Sequence, residues 1–325
     1  MAEHSAVSDA AERAMRSTLL MLAHRRSIGR LATSVPVTRP MVRRFVSGQT
    51  LDEALPAIEK LHAAGMRTTV DVLGEAVAHA EDARAASGRY LETLDALASR
   101  GLDMNVSLKP TQMGLGIDPA LARETIGRIV AKAGETGAFI RIDMEDHTTT
   151  DATLALWRDV RPSGWAGGGA DVGLVIQSAL RRSAADVEAI IEAGGRVRLC
   201  KGAYKEPAAV AFGDKADVDR SYEALMLRLM RAGRYPALAT HDDVLIKRAT
   251  SVATAEGIAP DRFEFQMLYG VRRDLQEQLV ADGWTVRVYV PYGAQWYPYF
   301  MRRLAERPAN VSFMIRSMWR ERRGS

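Results

Sequence analysis

Thr68-Thr-Val-Asp-Val-Leu73 is a short apolar run rich in β-branched residues; Leu91, Leu94 and Leu97 follow at helical spacing, Gly101 stops them, and Met104-Asn-Val-Ser-Leu108 is a second run of the first kind. β-Branched residues suit a pleated surface, and an apolar residue at every third or fourth position paints one face of a helix. The stretch therefore reads strand, helix, strand. Outward from it the alternation repeats: Phe139–Met144, Val172–Gln177, Val197–Cys200, Ala237–Thr240, Phe263–Met267 and Val286–Val290 bring the runs to eight, begun about 23 to 40 residues apart. Each interval holds a helix and two loops, and eight such units predict a (β/α)8 TIM barrel. A doubly wound sheet is the alternative. No G-x-G-x-x-G follows a run and no P-loop is present, and Gly167–Gly169 precedes a run and reads as a loop.

Upstream, Ser8 caps a predicted helical segment through Ala11, Ala14, Leu19 and Met21; Pro36 and Pro40 punctuate the chain, and Leu51, Leu55, Ile58 and Leu61 form a further helix ending near Gly65. The predicted organisation is an N-terminal helical arm over 1–66, a catalytic barrel over 67–316 and a basic tail over 317–325. Arg25, Arg26, Arg30, Arg39, Arg43 and Arg44 make the arm basic. They read as a solvated helical face, since no basic and aromatic platform for nucleic acid accompanies them.

The 325 residues carry 44 basic against 40 acidic side chains, a net charge of +4, with 47% hydrophobic and 26% charged residues. That balance excludes a disordered polyampholyte, a collagen-like repeat and a coiled-coil rod. A single cysteine, Cys200, excludes a disulfide framework and a cysteine-rich zinc site. No apolar window is long enough to span a bilayer. The run Leu19–Leu22 is short and lacks a cleavage pattern, so a cytoplasmic protein is expected.

Barrel enzymes place their chemistry at the C-terminal ends of the strands. Here those ends carry Asp71 and Glu75, Lys109, the group Asp143, Glu145 and Asp146, then Gln177, Arg198 and Lys201, the group Thr240, His241 and Asp242, and finally Gln266, Tyr289 and Tyr292. Single members have structural readings, such as Asp143 paired with Arg141, or Asp151 as a helix cap. Glu145, Asp146, His147, His241 and Asp242 include metal-ligand types, but no H-x-H or H-E-x-x-H spacing occurs and no metal is expected. Lys109 or Lys201 could serve a Schiff-base or metal-dependent barrel lyase acting on a small carboxylate, which is the alternative function.

The last segment is the most specific. Val286-Arg-Val-Tyr-Val-Pro-Tyr-Gly293 leads into Trp296-Tyr-Pro-Tyr-Phe-Met-Arg-Arg-Leu-Ala-Glu306, a predicted helix with Pro298 in its first turn, and Pro308 ends it. Tyr299, Arg302, Arg303 and Glu306 share one face of it. Two adjacent guanidinium groups over the barrel mouth bind a planar anion through paired hydrogen bonds, and a small carboxylate fits.

Asp143-Met-Glu-Asp146, Arg198-Leu-Cys-Lys-Gly-Ala-Tyr-Lys-Glu-Pro207, Ala239-Thr-His-Asp242, Glu264-Phe-Gln-Met-Leu-Tyr-Gly270 and the Tyr-x-x-Arg-Arg motif from Tyr299 to Arg303 appear in order along the chain. Together they resemble the proline dehydrogenase family, in its short monofunctional bacterial form. The resemblance implies a distorted (β/α)8 barrel that binds FAD without a Rossmann domain. It implies oxidation of L-proline to Δ1-pyrroline-5-carboxylate, with hydride passing to flavin N5 and electrons to a membrane quinone. A separate pyrroline-5-carboxylate dehydrogenase then takes the product, and peripheral contact with the inner face of the cell membrane is compatible with that acceptor.

Residue roles follow by motif position. Arg302, Arg303 and Lys109 hold the substrate carboxylate, and Asp143 sits beside Lys109. Tyr289, Tyr204, Tyr299 and Leu199 wall the ring, and Glu75 is a gate that pairs with Arg302. Arg198 lies near flavin N5. Lys201, Gln177, Met144, Gly202, Ala203, Thr240 and His241 meet the cofactor, with Glu306 toward its adenosine end. Pro110 presses its neighbour Lys109 toward extended geometry. No general base is assigned.

Overall fold

A parallel strand covered on both faces reads as a continuous apolar run. The first strand, β1 (Arg67–Val72), is buried at every residue after Arg67. The computed structural model describes residues 39–161 and 171–306. Before β1 come α1 (Arg39–Phe45) and α2 (Leu51–Ala63). After it the chain alternates: α3 (Ala80–Ser99), β2 (Asn105–Leu108), α4 (Pro119–Thr136), β3 (Phe139–Ile142), α5 (Thr150–Val160), β4 (Asp171–Gln177), α6 (Ser183–Glu192), β5 (Val197–Cys200), α7 (Lys215–Ala232), β6 (Ala237–Ala239), α8 (Asp243–Glu256), β7 (Glu264–Leu268), α9 (Arg273–Ala281), β8 (Val286–Tyr292) and α10 (Trp296–Glu306). The eight strands close into one barrel in sequence order, with parallel pairing throughout the registered ladders from β1 to β8. The expected (β/α)8 architecture is therefore present, each predicted run coinciding with a strand to within a few residues at its ends.

Local chemistry explains the helix ends. Asp118, Asp214 and Asp242 each accept a backbone N–H two residues on, capping α4, α7 and α8. Asp151 falls inside the first turn of α5 and is not its cap; Asp146 caps the short 3-10 turn ahead of that helix instead. Leu94 and Leu97 of α3 are buried as their spacing requires.

The chain divides into two compact units, one of 1–54 with 291–325 and the other of 55–290. In the first, the Phe45 ring lies 6.2 Å from Phe300, and Ser47 hydrogen-bonds the Pro291 carbonyl through its N–H at 3.0 Å and its hydroxyl at 2.9 Å. The second holds the barrel through Val290. The predicted Ser8 segment, Arg25, Arg26, Arg30, the Gly167–Gly169 loop, Pro308 and the 317–325 tail lie outside the described residues. No helix among the described residues is long and apolar enough to cross a membrane.

Inside the barrel, several buried strand positions carry charged side chains. Arg141 is 1% exposed and donates to the carbonyls of Leu174 and Arg196, both at 2.9 Å. It does not pair with Asp143. Burial pushes its pKa well down, reinforced by the Arg198 and Arg196 charges. Gly173 makes room for it: a Cβ there would stand 2.6 Å from Arg141 Nη1 and 2.7 Å from the Arg196 carbonyl. Lower in the barrel Arg287 pairs with Glu264 at 2.8 Å and with Asp103.

Candidate active site

The strand exits converge on a connected polar cluster. Arg198, on β5, is its centre. Its Nη1 donates to Asp143 Oδ1 at 2.8 Å, its Nη2 to Ser107 Oγ at 2.7 Å and its Nε to Gln266 Oε1 at 2.5 Å. Tyr289, on β8, donates its hydroxyl to Asp143 Oδ2 at 3.2 Å, and the Arg198 guanidinium lies 5.3 Å from the Tyr289 ring centroid. Burial raises the Asp143 carboxyl, though Arg198 and Lys109 pull against it. Burial and the nearby Asp143 and Asp71 charges push Tyr289 well above its ordinary range, so the phenol remains a donor.

Lys109, just past β2, forms the second ion pair. Its ammonium reaches both Asp71 oxygens, at 3.0 and 3.1 Å. Asp143, expected beside Lys109, does add its charge to the lysine, but the hydrogen-bonded partner is Asp71, fully buried near the end of the adjacent β1, while both Asp143 oxygens are engaged by Arg198 and Tyr289. With Pro110 in place the lysine still makes this contact. Tyr90 of α3 donates to Asp71 at 3.4 Å and to the Ser107 carbonyl at 2.7 Å, tying the two clusters together. Burial works against the Lys109 charge, but Asp71, Asp143 and Glu145 outweigh it and the pKa rises. Asp71→Asn is expected to cost about 1–3 kcal/mol, since a buried charged group loses its charged acceptor. Urea unfolding checks this, and an unchanged midpoint would mean the pair contributes nothing.

The remaining expected residues lie on neighbouring exits. Gln177 is 3% exposed and donates to the Glu145 carbonyl at 2.8 Å. Lys201 sits between Asp219 at 2.6 Å and Asp242 at 2.8 Å; burial opposes its charge, the two carboxylates prevail and its pKa rises. Thr240 accepts the Asp242 N–H at 3.1 Å, and His241 Nε2 accepts the Leu268 N–H at 3.0 Å, so that nitrogen carries no proton. Met144 is buried, Gly202 and Ala203 are exposed, and Tyr204 is 45% exposed. Glu75, half-buried, follows β1. Leu199 requires correction. It alternates with Arg198 along β5, so it faces away from the side that Arg198 occupies, and it is wholly buried. It belongs to the core and not to a substrate wall.

Tyr299, Arg302, Arg303 and Glu306 all lie in α10. Tyr299 is buried, both arginines are half-buried, and the Arg303 guanidinium is 5.2 Å from the Tyr299 ring centroid.

The groups weighed as metal ligands have other partners. Glu145 accepts the Thr111 N–H and hydroxyl, His147 Nδ1 meets Glu206 at 2.5 Å, and Asp146 and Asp242 cap turns. Among the described residues no three or more His, Cys, Asp or Glu gather as a metal cage. Both candidate Schiff-base lysines have raised pKa values, opposite to what an amine nucleophile needs. Burial pushes the Cys200 thiol up to about 12, which makes it inert at neutral pH.

Sequence reasoning gave no role to Ser107, Tyr90, Glu264 or Arg287. Ser107 and Arg287 were polar residues inside runs otherwise apolar, Glu264 opened one of the family motifs, and Tyr90 lay on a helix with no signal of its own.

The sequence profile of the family described as proline dehydrogenase matches residues 54–316. A proline dehydrogenase of Deinococcus radiodurans is 40% identical over 306 residues, covering 93% of this chain and 97% of that one. Proline dehydrogenase 2 of Bacillus subtilis is 40% identical over 281 residues, covering 86% and 91%. The crystal structure of proline utilization A from Bdellovibrio bacteriovorus, inactivated by N-propargylglycine, matches with a TM-score of 0.77 at 27% identity, over 85% of this chain and 33% of that one. The chain thus spans about a third of that structure's length. A closed eight-stranded barrel, polar at its strand exits, and near-full-length similarity at this identity lead to one conclusion: the chain belongs to the proline dehydrogenase family of oxidoreductases.

Proposed function

We propose that the chain oxidises L-proline to Δ1-pyrroline-5-carboxylate, with FAD as bound cofactor and a quinone as electron acceptor. The observation that carries this reading is the Arg198 guanidinium, 5% exposed on β5 and held by three acceptors inside the barrel, in a chain of this family. The donor set suits a flavin dinucleotide. Arg198 offers a buried cation, while Lys201, Thr240 and His241 cluster polar groups on adjoining exits. The backbone from Gly202 to Tyr204 is exposed, with Gly202 at φ +110°, where a Cβ would meet Gln177 Oε1 at 2.9 Å. Only glycine adopts that conformation readily, and it leaves the backbone open to close approach. Met144, Gln177, Arg198, Lys201, Gly202, Ala203, Thr240 and His241 are the proposed cofactor residues, with Glu306 toward the adenosine end. Bound FAD supplies the acceptor for the hydride that leaves the ring carbon beside nitrogen.

The chain's own residues orient and shield the substrate. Arg302 and Arg303, with Lys109 as third cation, take the carboxylate by motif position, and a clamp of this kind fixes the ring in one pose. Asp71 keeps Lys109 charged. Arg198 sets a fixed positive charge where negative charge develops, and Asp143 orients both Arg198 and Tyr289. Tyr289, Tyr204 and Tyr299 wall the ring, and Glu75 gates entry by pairing with Arg302. A quinone acceptor calls for peripheral contact at the inner face of the cell membrane. The product passes to a separate pyrroline-5-carboxylate dehydrogenase, a reading supported by relatives of matching length.

The purified protein is expected to be yellow, and L-proline is expected to bleach it without air or added metal. A protein that takes up no FAD, or a flavoprotein spectrum that L-proline leaves unchanged, would overturn the assignment.

A further inference from the structure

Resting on the reading that Arg198 supports the flavin, we propose that Gln266 and Ser107 are positioning residues for its guanidinium, and that Glu264 fixes Gln266 for that task. A guanidinium is a rigid plane of N–H donors, and each of the three nitrogens of Arg198 has its own acceptor. These are Gln266 Oε1 on β7, Asp143 Oδ1 just past β3 and Ser107 Oγ on β2. Anchors on β7 and β2 and just past β3 fix both the position and the tilt of the plane. Arg198, Gln266 and Ser107 are 5%, 4% and 0% exposed, so solvent offers little substitute for any of the three.

A side-chain amide can present either its oxygen or its NH2 group, and only the oxygen can accept from Arg198 Nε. Glu264 decides the matter. Its Oε1 accepts from Gln266 Nε2 at 2.6 Å, which turns Oε1 of the amide toward Arg198. Glu264 is itself pinned by Arg287 Nε at 2.8 Å and by the Tyr235 hydroxyl at 3.1 Å. The orientation of the Arg198 charge is thereby set by a chain of contacts, Arg287 to Glu264 to Gln266, that runs inside the barrel. Ser107 Oγ is in turn 3.1 Å from the Thr69 hydroxyl, a second support on β1. A residue serving only to fill space at 266 could be an unbranched apolar chain of similar length; one that aims the guanidinium could not.

The test uses the FAD-loaded enzyme and reads the two-electron midpoint potential of the flavin together with its single-turnover reduction by L-proline. Gln266→Met, which keeps the volume and removes the acceptor, is expected to weaken stabilisation of the reduced flavin about tenfold, a downward shift of about 30 mV. Reduction should slow about tenfold while KM for L-proline changes less than twofold. Ser107→Ala, a deletion of one oxygen, should slow reduction about threefold, and it tests the same anchoring should the methionine variant not fold. Arg198→Met should lower both readouts further, and adding Gln266→Met to it should change neither again. Wild-type potential and rate in Gln266→Met and Ser107→Ala, with both lowered in Arg198→Met, would overturn the positioning proposal and leave the Arg198 reading standing. Wild-type values in Arg198→Met itself would remove that reading and the proposal with it.

Discussion

Replacing Glu264 by leucine is expected to lower stability by about 3–5 kcal/mol, the usual consequence of stripping one partner from a buried ion pair. Glu264 is 1% exposed and accepts from Arg287, Gln266 and Tyr235. Without it, Arg287 at 2% exposure keeps only Asp103 and the Thr68 carbonyl as partners. The double variant with Arg287→Met should regain much of the loss, because it removes the stranded charge as well. Urea unfolding followed by tryptophan fluorescence measures both; a single variant as stable as wild type would show that the pair contributes nothing.

The same carboxylate sets an acid limit. Burial would raise its pKa, but Arg287 and Gln266 outweigh burial and hold it at about 2, below the ordinary value of 4.5. A pKa depressed in the folded state stabilises fully above the unfolded value and is lost as pH falls toward the folded one. The Glu264 contribution should therefore fade between about pH 4.5 and about 2, and the leucine variant should lack that component of acid unfolding.

Arg303→Met should raise KM for L-proline by about 100-fold, equivalent to ~2.7 kcal/mol, the scale of a lost charge-assisted pair to a carboxylate. Methionine keeps an unbranched stem against Tyr299, whose ring the guanidinium now overlies at 5.2 Å, while removing the charge. Flavin content should stay at the wild-type level. Steady-state kinetics on the FAD-loaded enzyme tests this, and an unaltered KM would remove the arginine from the carboxylate clamp.

The barrel was legible because its signal is repetitive. One strand and helix unit is ambiguous, but eight alternations each constrain the others, and parallel strands covered on both faces read as near-continuous apolar runs. The polar residues of the site were legible for the same reason: once the runs are placed, Asp71, Lys109 and Asp143 fall at or just past their ends, and Arg198, Gln266 and Tyr289 interrupt runs otherwise apolar. The partnerships among them were not. Lys109 and Asp143 are candidates for each other on charge alone, and only the barrel's geometry hands Lys109 to Asp71 and Asp143 to Arg198. Leu199 misled because a motif gives neighbours along the chain, whereas a strand sends neighbours to opposite faces.

Periodicity and motif order alone thus settle the eightfold architecture and the family, since both depend on spacing along one dimension. Which acceptor each buried cation finds depends on distances across the barrel between segments far apart in the chain. Ser107, Glu264 and Arg287 take their parts there only because closure brings β2, β5, β7 and β8 around a common interior, where burial forces every charge to find a partner.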